Sequence, residues 1–300
     1  MRNESFVMPF YKYRIGCDID IGGEKSDERV DIVLTSESGN PEERENIYEH
    51  SSEEYRILSP IASYYIYPAE NRMHVRYDYP EQIRSTLCSL PASVLAGYKG
   101  ELILHSSSVE MGGKVVAFCA EKGTGKTSLV SYLGRVFPVF SDDTLYLENS
   151  SGGINCYSAS NTLRLTHASA RGHGEQTESL YNAAPKTVQN KAHLSCTELG
   201  LKSIRPGTPG KLGAIVCLRR SGERAGIVRI DAGTARFGAL LNNCVGAAFL
   251  PPYILKSIIR SDYFAKLLEC VPILELTLPD SFEFLRDGYV DIAEMIRTYI

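Results

Sequence analysis

Along the first eighty positions apolar and polar residues alternate with the period of strands. Phe10-Tyr11-Lys12-Tyr13-Arg14-Ile15 runs in twos, Val30-Asp31-Ile32-Val33-Leu34 follows, and residues 5–34 are predicted as strand. Residues 36–54 are polar and acidic and read as an exposed loop. From Tyr55 to Tyr79 the Tyr- and Ile-rich chain returns to strand, with a turn at Pro68-Ala69-Glu70-Asn71. Sheet propensity accounts for the tyrosines, which are assigned to packing. After Pro80 the residues Ile83, Leu87, Leu90 and Leu95 fall near helical spacing, with Pro91 as an interruption.

The pattern then tightens. Glu101–Met111 and Lys114–Cys119 are strand-like runs around Gly112-Gly113, which predicts a two-residue hairpin. Its register pairs residues whose numbers sum to 225, so Met111 faces Lys114 and His105 lies opposite Ala120. Val115–Cys119 feeds Ala120-Glu121-Lys122-Gly123-Thr124-Gly125-Lys126-Thr127-Ser128, and Leu129, Leu133 and Val136 mark a helix face ending near Gly134. An apolar strand, a glycine-rich turn and a helix form the plan of a phosphate-binding loop, in which backbone amides and the helix's positive end hold anionic oxygens. Residues Glu121 to Ser128 are the nucleotide-binding candidates. Lys126 reaches the terminal phosphates, and the Thr127 hydroxyl ligates Mg²⁺. Ala120 stands where the usual pattern opens with Gly, which a negative φ tolerates. Register places His105 beside the phosphates, where an imidazole can handle protons.

Phe137–Phe140 reads as a short strand that ends at Ser141-Asp142-Asp143. A carboxylate there suits Mg²⁺. Adjacent strand residues face opposite ways, so one aspartate can address the metal and its neighbour a nucleophile. Short strands follow at 145–147 and 162–165, and Arg164 is a candidate phosphate contact, with a surface ion pair as the alternative. Residues 168–212 are rich in Ser, Gly, Thr and Pro and read as long loops, a lid or substrate-contacting arm. Strands are predicted at 212–218, 226–230 and 271–278, and helices at 235–250, 252–268 and 290–299.

Composition narrows the field. The 300 residues are 43% hydrophobic and 23% charged, ordinary globular values. A net charge of −4 argues against nucleic acid or an anionic membrane as partner. Residues 1–100 carry 17 acidic and 11 basic side chains, a mild excess that aids solubility. Eight cysteines without a Cys-x-x-Cys pair read as reduced thiols, with neither a disulfide framework nor a zinc site. The first residues lack a signal-peptide core, and no apolar run nears the ~18 residues of a membrane helix. The expectation is a soluble, cytoplasmic protein.

At Leu104-His105-Ser-Ser-Ser-Val109, Gly123-Thr-Gly-Lys-Thr127 and Ser141-Asp142-Asp143 the chain resembles the HPr kinase/phosphorylase superfamily. Weaker similarity runs through 162–165, 212–218 and 271–278. The resemblance implies an α/β fold: an HPr-kinase-like P-loop core of mixed β-sheet flanked by helices over 99–300, with a β-rich N-terminal region over 1–98. It implies a catalytic centre of His105, Lys126, Asp142 and Asp143. One aspartate, helped by His105, would take the proton of a serine hydroxyl. The other would hold Mg²⁺ with Thr127, and Asp143 is the one paired with Thr127 for that role. ATP and Mg²⁺ are the implied cofactors. The family's Glu-Ile-Arg-Gly-Leu-Gly signature has no counterpart, so the layout is similar to the shorter HPr-kinase-like proteins of peptide biosynthesis clusters, some of which phosphorylate a serine on a lasso-peptide precursor. The expected partner is therefore a peptide or protein bearing a serine, and a homo-oligomer is a candidate assembly. A small-molecule hydroxyl kinase and a catalytically silent nucleotide-binding sensor are the alternatives.

Overall fold

The fold comes from a computed structural model that describes residues 5–21, 23–26, 29–39, 47–51, 53–59, 61–187, 190–221, 224–260 and 262–300. In chain order the first elements are β1 (Ser5–Phe10), β2 (Tyr13–Cys17), β3 (Glu24–Ser26), β4 (Ile32–Ser38), β5 (Ile47–His50), β6 (Tyr55–Leu58), β7 (Ala62–Tyr67), β8 (Arg72–Tyr77), α1 (Pro80–Leu87), α2 (Leu90–Tyr98) and β9 (Leu102–Leu104). Next come β10 (Ser106–Met111), β11 (Lys114–Cys119), α3 (Lys126–Leu133), β12 (Val139–Ser141), β13 (Leu145–Ser150), β14 (Gly153–Tyr157), β15 (Thr162–Thr166), α4 (His167–Gly172), α5 (Glu175–Ala183) and β16 (Lys191–Ser195). The chain closes with β17 (Gly210–Arg220), β18 (Gly226–Arg229), α6 (Gly233–Asn242), α7 (Pro252–Arg260), α8 (Asp262–Cys270), β19 (Ile273–Leu278) and α9 (Phe282–Arg297). This is a mixed α/β chain. It gathers into two compact units, Met1–Ile103 with Val245–Ser261 and Leu104–Cys244 with Asp262–Ile300. The boundary drawn at 98/99 lies a few residues later, and the first unit takes 245–261 out of what the sequence reads as one C-terminal domain.

In the first unit the described strands form a sheet in the order β3-β1-β2-β4-β8-β7-β6-β5, with β2, β4 and β8 parallel. Residues 10–15 are not one strand. Phe10 pairs Tyr13 across a turn at Tyr11-Lys12, with Tyr11 at φ +57°. Burial fixes this turn without a glycine, since Tyr11 is 1% exposed and its hydroxyl donates to the Cys88 carbonyl at 2.7 Å. The segment read as loop over 36–54 holds the end of β4 and β5, which pairs β6 from Ile47↔Leu58 to His50↔Tyr55. Residues 40–46 of it lie outside the described residues. The helical stretch that starts at Pro80 does break ahead of Pro91: α1 ends at Leu87, and Pro91 sits in the first turn of α2, where its missing N–H costs nothing.

The second unit is built on β11 and β17. Both read as near-continuous apolar runs, as strands buried on two faces do. They pair in parallel, Ala117↔Ile215 through Cys119↔Cys217. On one side of this pair lie β10 and then β12; on the other, β14 and β13 extend the sheet, and β19 runs parallel to the C-terminal half of β17. Gly112 and Gly113 take φ +60° and +77°, the left-handed pair that a two-residue hairpin requires. Hence β10 and β11 pair from Met111↔Lys114 to Ser106↔Cys119, the register summing to 225. Leu129 and Leu133 of α3 are buried in one core with Phe118, Val216, Leu276, Leu285, Ile292 and Ile296. Each such side chain contributes about 1.5–3 kcal/mol relative to exposure. Val136, expected on the same helix face, is 53% exposed because α3 ends at its Gly134 cap.

Residues 168–212 are loop only in part: α4, α5 and β16 occupy much of the stretch, and 196–209 join β16 to β17 without a helix or strand. The Thr166 hydroxyl accepts the Ser169 amide at 3.2 Å and starts α4, while Glu175 and Glu178 sit in the first turn of α5, where the helix dipole favours them. Strand β16 pairs β15 as a separate two-stranded ribbon, from Thr162↔Ser195 to Thr166↔Lys191. The last helix begins at 282 and not 290, capped by the Ser281 hydroxyl, which accepts the Phe284 amide at 3.1 Å. The predicted helix at 235–250 stops at Asn242, and 252–268 divides into α7 and α8, one in each unit. All eight cysteines are free. Among the described residues no helix is long and apolar enough to cross a membrane.

Candidate active site at the glycine turn

Beyond Cys119 the chain turns through 120–125 into α3. Gly123 and Gly125 take φ +88° and +104°, a conformation that a side chain strains. At Gly125 a Cβ would also stand 2.6 Å from Arg220 Nη2. Ala120 is not among the positive-φ residues, so its methyl is accommodated. As the first turn of a helix, Lys126, Thr127 and Ser128 carry amides without intrahelical acceptors, an arrangement that together with the dipole suits an anion. Lys126 is 8% exposed and arches back over the turn, its Nζ donating to the carbonyls of Ala120 at 2.7 Å and Glu121 at 3.4 Å. Glu121, Lys122 and Gly123 are exposed and Thr124 is half-buried. The Ser128 side chain, in contrast, is 7% exposed and shares a hydrogen bond with Ser169 Oγ at 2.9 Å, so only its amide can serve the turn.

Strand β12 delivers the aspartates. It runs antiparallel to β10 with Ser108 opposite Ser141, which sets Asp142 beside Ser107. Asp142 is 6% exposed. Its Oδ1 accepts the hydroxyls of Ser107 at 2.5 Å and Thr127 at 2.9 Å, and its Oδ2 accepts the Arg164 amide at 2.8 Å. Asp142 and Asp143 lie past the end of β12 and Asp143 takes φ +73°, so strand alternation does not set the directions of the two carboxylates. Its Oδ2 accepts Arg164 Nη1 at 2.6 Å, and its Oδ1 lies 3.7 Å from His105 Nδ1. Thr127 meets Asp142 directly, and the Arg164 guanidinium pairs with the Asp143 carboxylate, the ion pair given as the alternative to a phosphate contact.

His105 stands one residue before β10, where its amide donates to the Asn243 carbonyl at 2.7 Å. Its Nδ1 lies 3.0 Å from the Asp143 carbonyl oxygen. A carbonyl only accepts, so this contact assigns the proton to Nδ1 and leaves Nε2 with a lone pair. Burial first, and then the Lys126 ammonium, lower the His105 pKa from 6.5 against the opposing pull of Asp143. Burial also lowers the Lys126 pKa, opposed by Cys119 and both aspartates. The imidazole is thus held neutral near pH 7 with one nitrogen open. Among the described residues no group of three or more His, Cys, Asp or Glu could hold a metal by itself. The Thr127 hydroxyl and Asp142 carboxylate are hard oxygen donors beside an anion site, which fits Mg²⁺ shared with phosphate oxygens.

Two residues of this site escape sequence reasoning. Ser107 is fully buried and directs its hydroxyl at Asp142; three serines in a row on a buried strand were a signal, since buried hydroxyls need partners. Arg220, at the end of β17, donates through Nε to the Thr124 carbonyl at 2.8 Å and also reaches the Pro279 carbonyl, bracing the turn from the neighbouring strand. No family model matches the chain, and no match is found among curated proteins. Among solved structures the chain is similar to an Hpr(Ser) kinase/phosphatase from Coxiella burnetii at 9% identity, covering 65% of this chain and 94% of that one with a TM-score of 0.35. So loose a superposition decides nothing about chemistry, and the site stands on its own geometry.

Proposed function

We propose that this chain is an ATP- and Mg²⁺-dependent kinase that transfers the γ-phosphoryl group to a serine hydroxyl of a peptide or protein. One observation carries the reading: a buried lysine, a hydroxyl–carboxylate pair and a neutral histidine beside a second carboxylate all gather at a glycine turn that opens a helix. Phosphoryl transfer needs little beyond such positioning and charge stabilisation. The glycine turn and the amides of α3 would cradle the phosphates, and Lys126 would leave the turn carbonyls to offset charge on the outer two. Thr127 and Asp142 would hold Mg²⁺, which supplies charge neutralisation there. Asp143 and His105 would address the acceptor. The serine proton passes to His105 Nε2, the serine oxygen bonds to the γ-phosphorus, and the bond to the β–γ bridging oxygen breaks to release ADP. Peptides of a precursor from a biosynthetic cluster are the acceptor class to try first.

The test is mass spectrometry of serine-containing peptides incubated with the full chain, Mg²⁺ and ATP. Phosphoserine supports the reading. Phosphate on free sugars or amino acids alone would redirect it to small molecules, and tight nucleotide binding without any transfer would make the protein a sensor. The pH profile gives a second check. A base works unprotonated, so with the His105 pKa lowered the acid limb of kcat/KM is expected below pH 6.5. Replacement of His105 by Gln should remove that limb; a limb that persists unchanged would assign the base elsewhere.

A further inference from the structure

The ribbon of β15 and β16 carries more than Arg164. Leu163, Leu165, Ala192 and Leu194 point into the core, so the alternate residues share the opposite face. Cross-strand register sets Arg164 against His193 and Thr166 against Lys191 on that face. Its direction is fixed by Arg164, whose guanidinium meets Asp143 at 2.6 Å and whose amide meets Asp142. His193 and Lys191 are two residues apart on one strand face, about 7 Å. The Nε2 of His193 is buried without a hydrogen-bond partner, an orphaned polar atom next to Arg164. Among the described residues no ion pair holds Lys191. Its charge acts on both Lys126 and His193, and the charges of Arg164 and Asp143 act on His193 too. Burial and the two cations push the His193 pKa down to about 4, which keeps the ring neutral at pH 7.

Lys126, Arg164 and Lys191 set three cations against Asp142 and Asp143 before any metal is counted. A surplus of fixed positive charge around a neutral imidazole suits an anion that arrives with the substrate. We propose that this ribbon face grips the transferred phosphoryl group, with the Lys191 ammonium and the His193 edge on its oxygens, so that the site tells a nucleoside triphosphate from a diphosphate. The inference rests on the kinase reading and deepens it: the ribbon, tied to both aspartates through Arg164, is the wall for the outermost phosphate.

The experiment is titration calorimetry of the full chain with ATP and with ADP, each with Mg²⁺. Removing a charge-assisted hydrogen bond to a buried phosphate lowers affinity by about tenfold or more. Lys191→Met is therefore expected to weaken ATP by about that factor and to leave ADP unchanged, while Lys191→Arg restores the ratio. His193→Gln should shift the ratio in the same direction. Equal loss for ATP and ADP, or no loss for either, overturns the assignment of the ribbon while the kinase reading stands. A wild-type chain that binds neither nucleotide sinks the reading itself. Should Lys191→Met melt too early to titrate, Lys191→Gln is read by the same ratio, with the same two outcomes.

Discussion

Asp142→Asn is expected to slow phosphoryl transfer by about a hundred- to a thousandfold while leaving the protein folded, because several kcal/mol of metal-borne charge stabilisation would go. The fold survives for a reason visible in the partners. Oδ2 must accept the Arg164 amide, so the asparagine carbonyl takes that place. Its NH₂ then faces the Ser107 and Thr127 hydroxyls, which can rotate to accept. What disappears is the negative charge beside Thr127, and the Mg²⁺ concentration for half-maximal rate should rise. Asp143→Asn removes charge from the other side, next to His105 and Arg164. Its loss, about 10²- to 10⁴-fold, should appear in the pH profile and leave the metal dependence alone. Labelled γ-phosphate transferred at the wild-type rate by both variants would defeat the division of roles, and the kinase reading with it.

The second large effect is expected at Gly125. Its φ of +104° strains any side chain, about 1–3 kcal/mol at such positions, and the added methyl would meet Arg220 Nη2 at 2.6 Å. Arg220 can yield, but only by releasing the Thr124 and Pro279 carbonyls that it braces. Gly125→Ala should therefore lower the melting temperature and weaken Mg·ATP binding by about a hundredfold or more, since the turn amides lose their common aim. Gly123 provides the contrast. It has a positive φ of +88° but open space around it, so Gly123→Ala carries the strain alone and should cost less in both readouts. Equal losses in the two variants would show that Arg220 does not brace the turn.

What the sequence made legible was what local chemistry enforces. Gly112-Gly113 permits a two-residue hairpin and little else, so the register of β10 and β11 follows from those two residues. The strand, glycine turn and helix around Lys126 were legible for the same reason. The direction of Asp143 was not, because it hangs on a left-handed φ that a non-glycine residue rarely takes. Arg220 lies 96 residues from Thr124 and reaches it only through the parallel pairing of β11 with β17. Lys191 and His193 were hidden in a stretch whose composition looked like loop; the alternation of β16 is carried by only Ala192 and Leu194, too short to stand out until β15 pairs with it. In the first unit Tyr11 turns the chain for the sake of its buried hydroxyl, a tertiary contact that overrides the alternating pattern around it.

The most direct measurement is a crystal structure of the full chain with Mg²⁺ and a non-hydrolysable ATP analogue. The β- and γ-phosphates are expected on the glycine turn with Lys126 Nζ turned onto them, the cation on Thr127 and Asp142, and room for an acceptor oxygen about 3–3.5 Å from the γ-phosphorus on the His105 side. An analogue seated elsewhere, or one whose terminal phosphate faces away from both aspartates, would contradict the kinase reading.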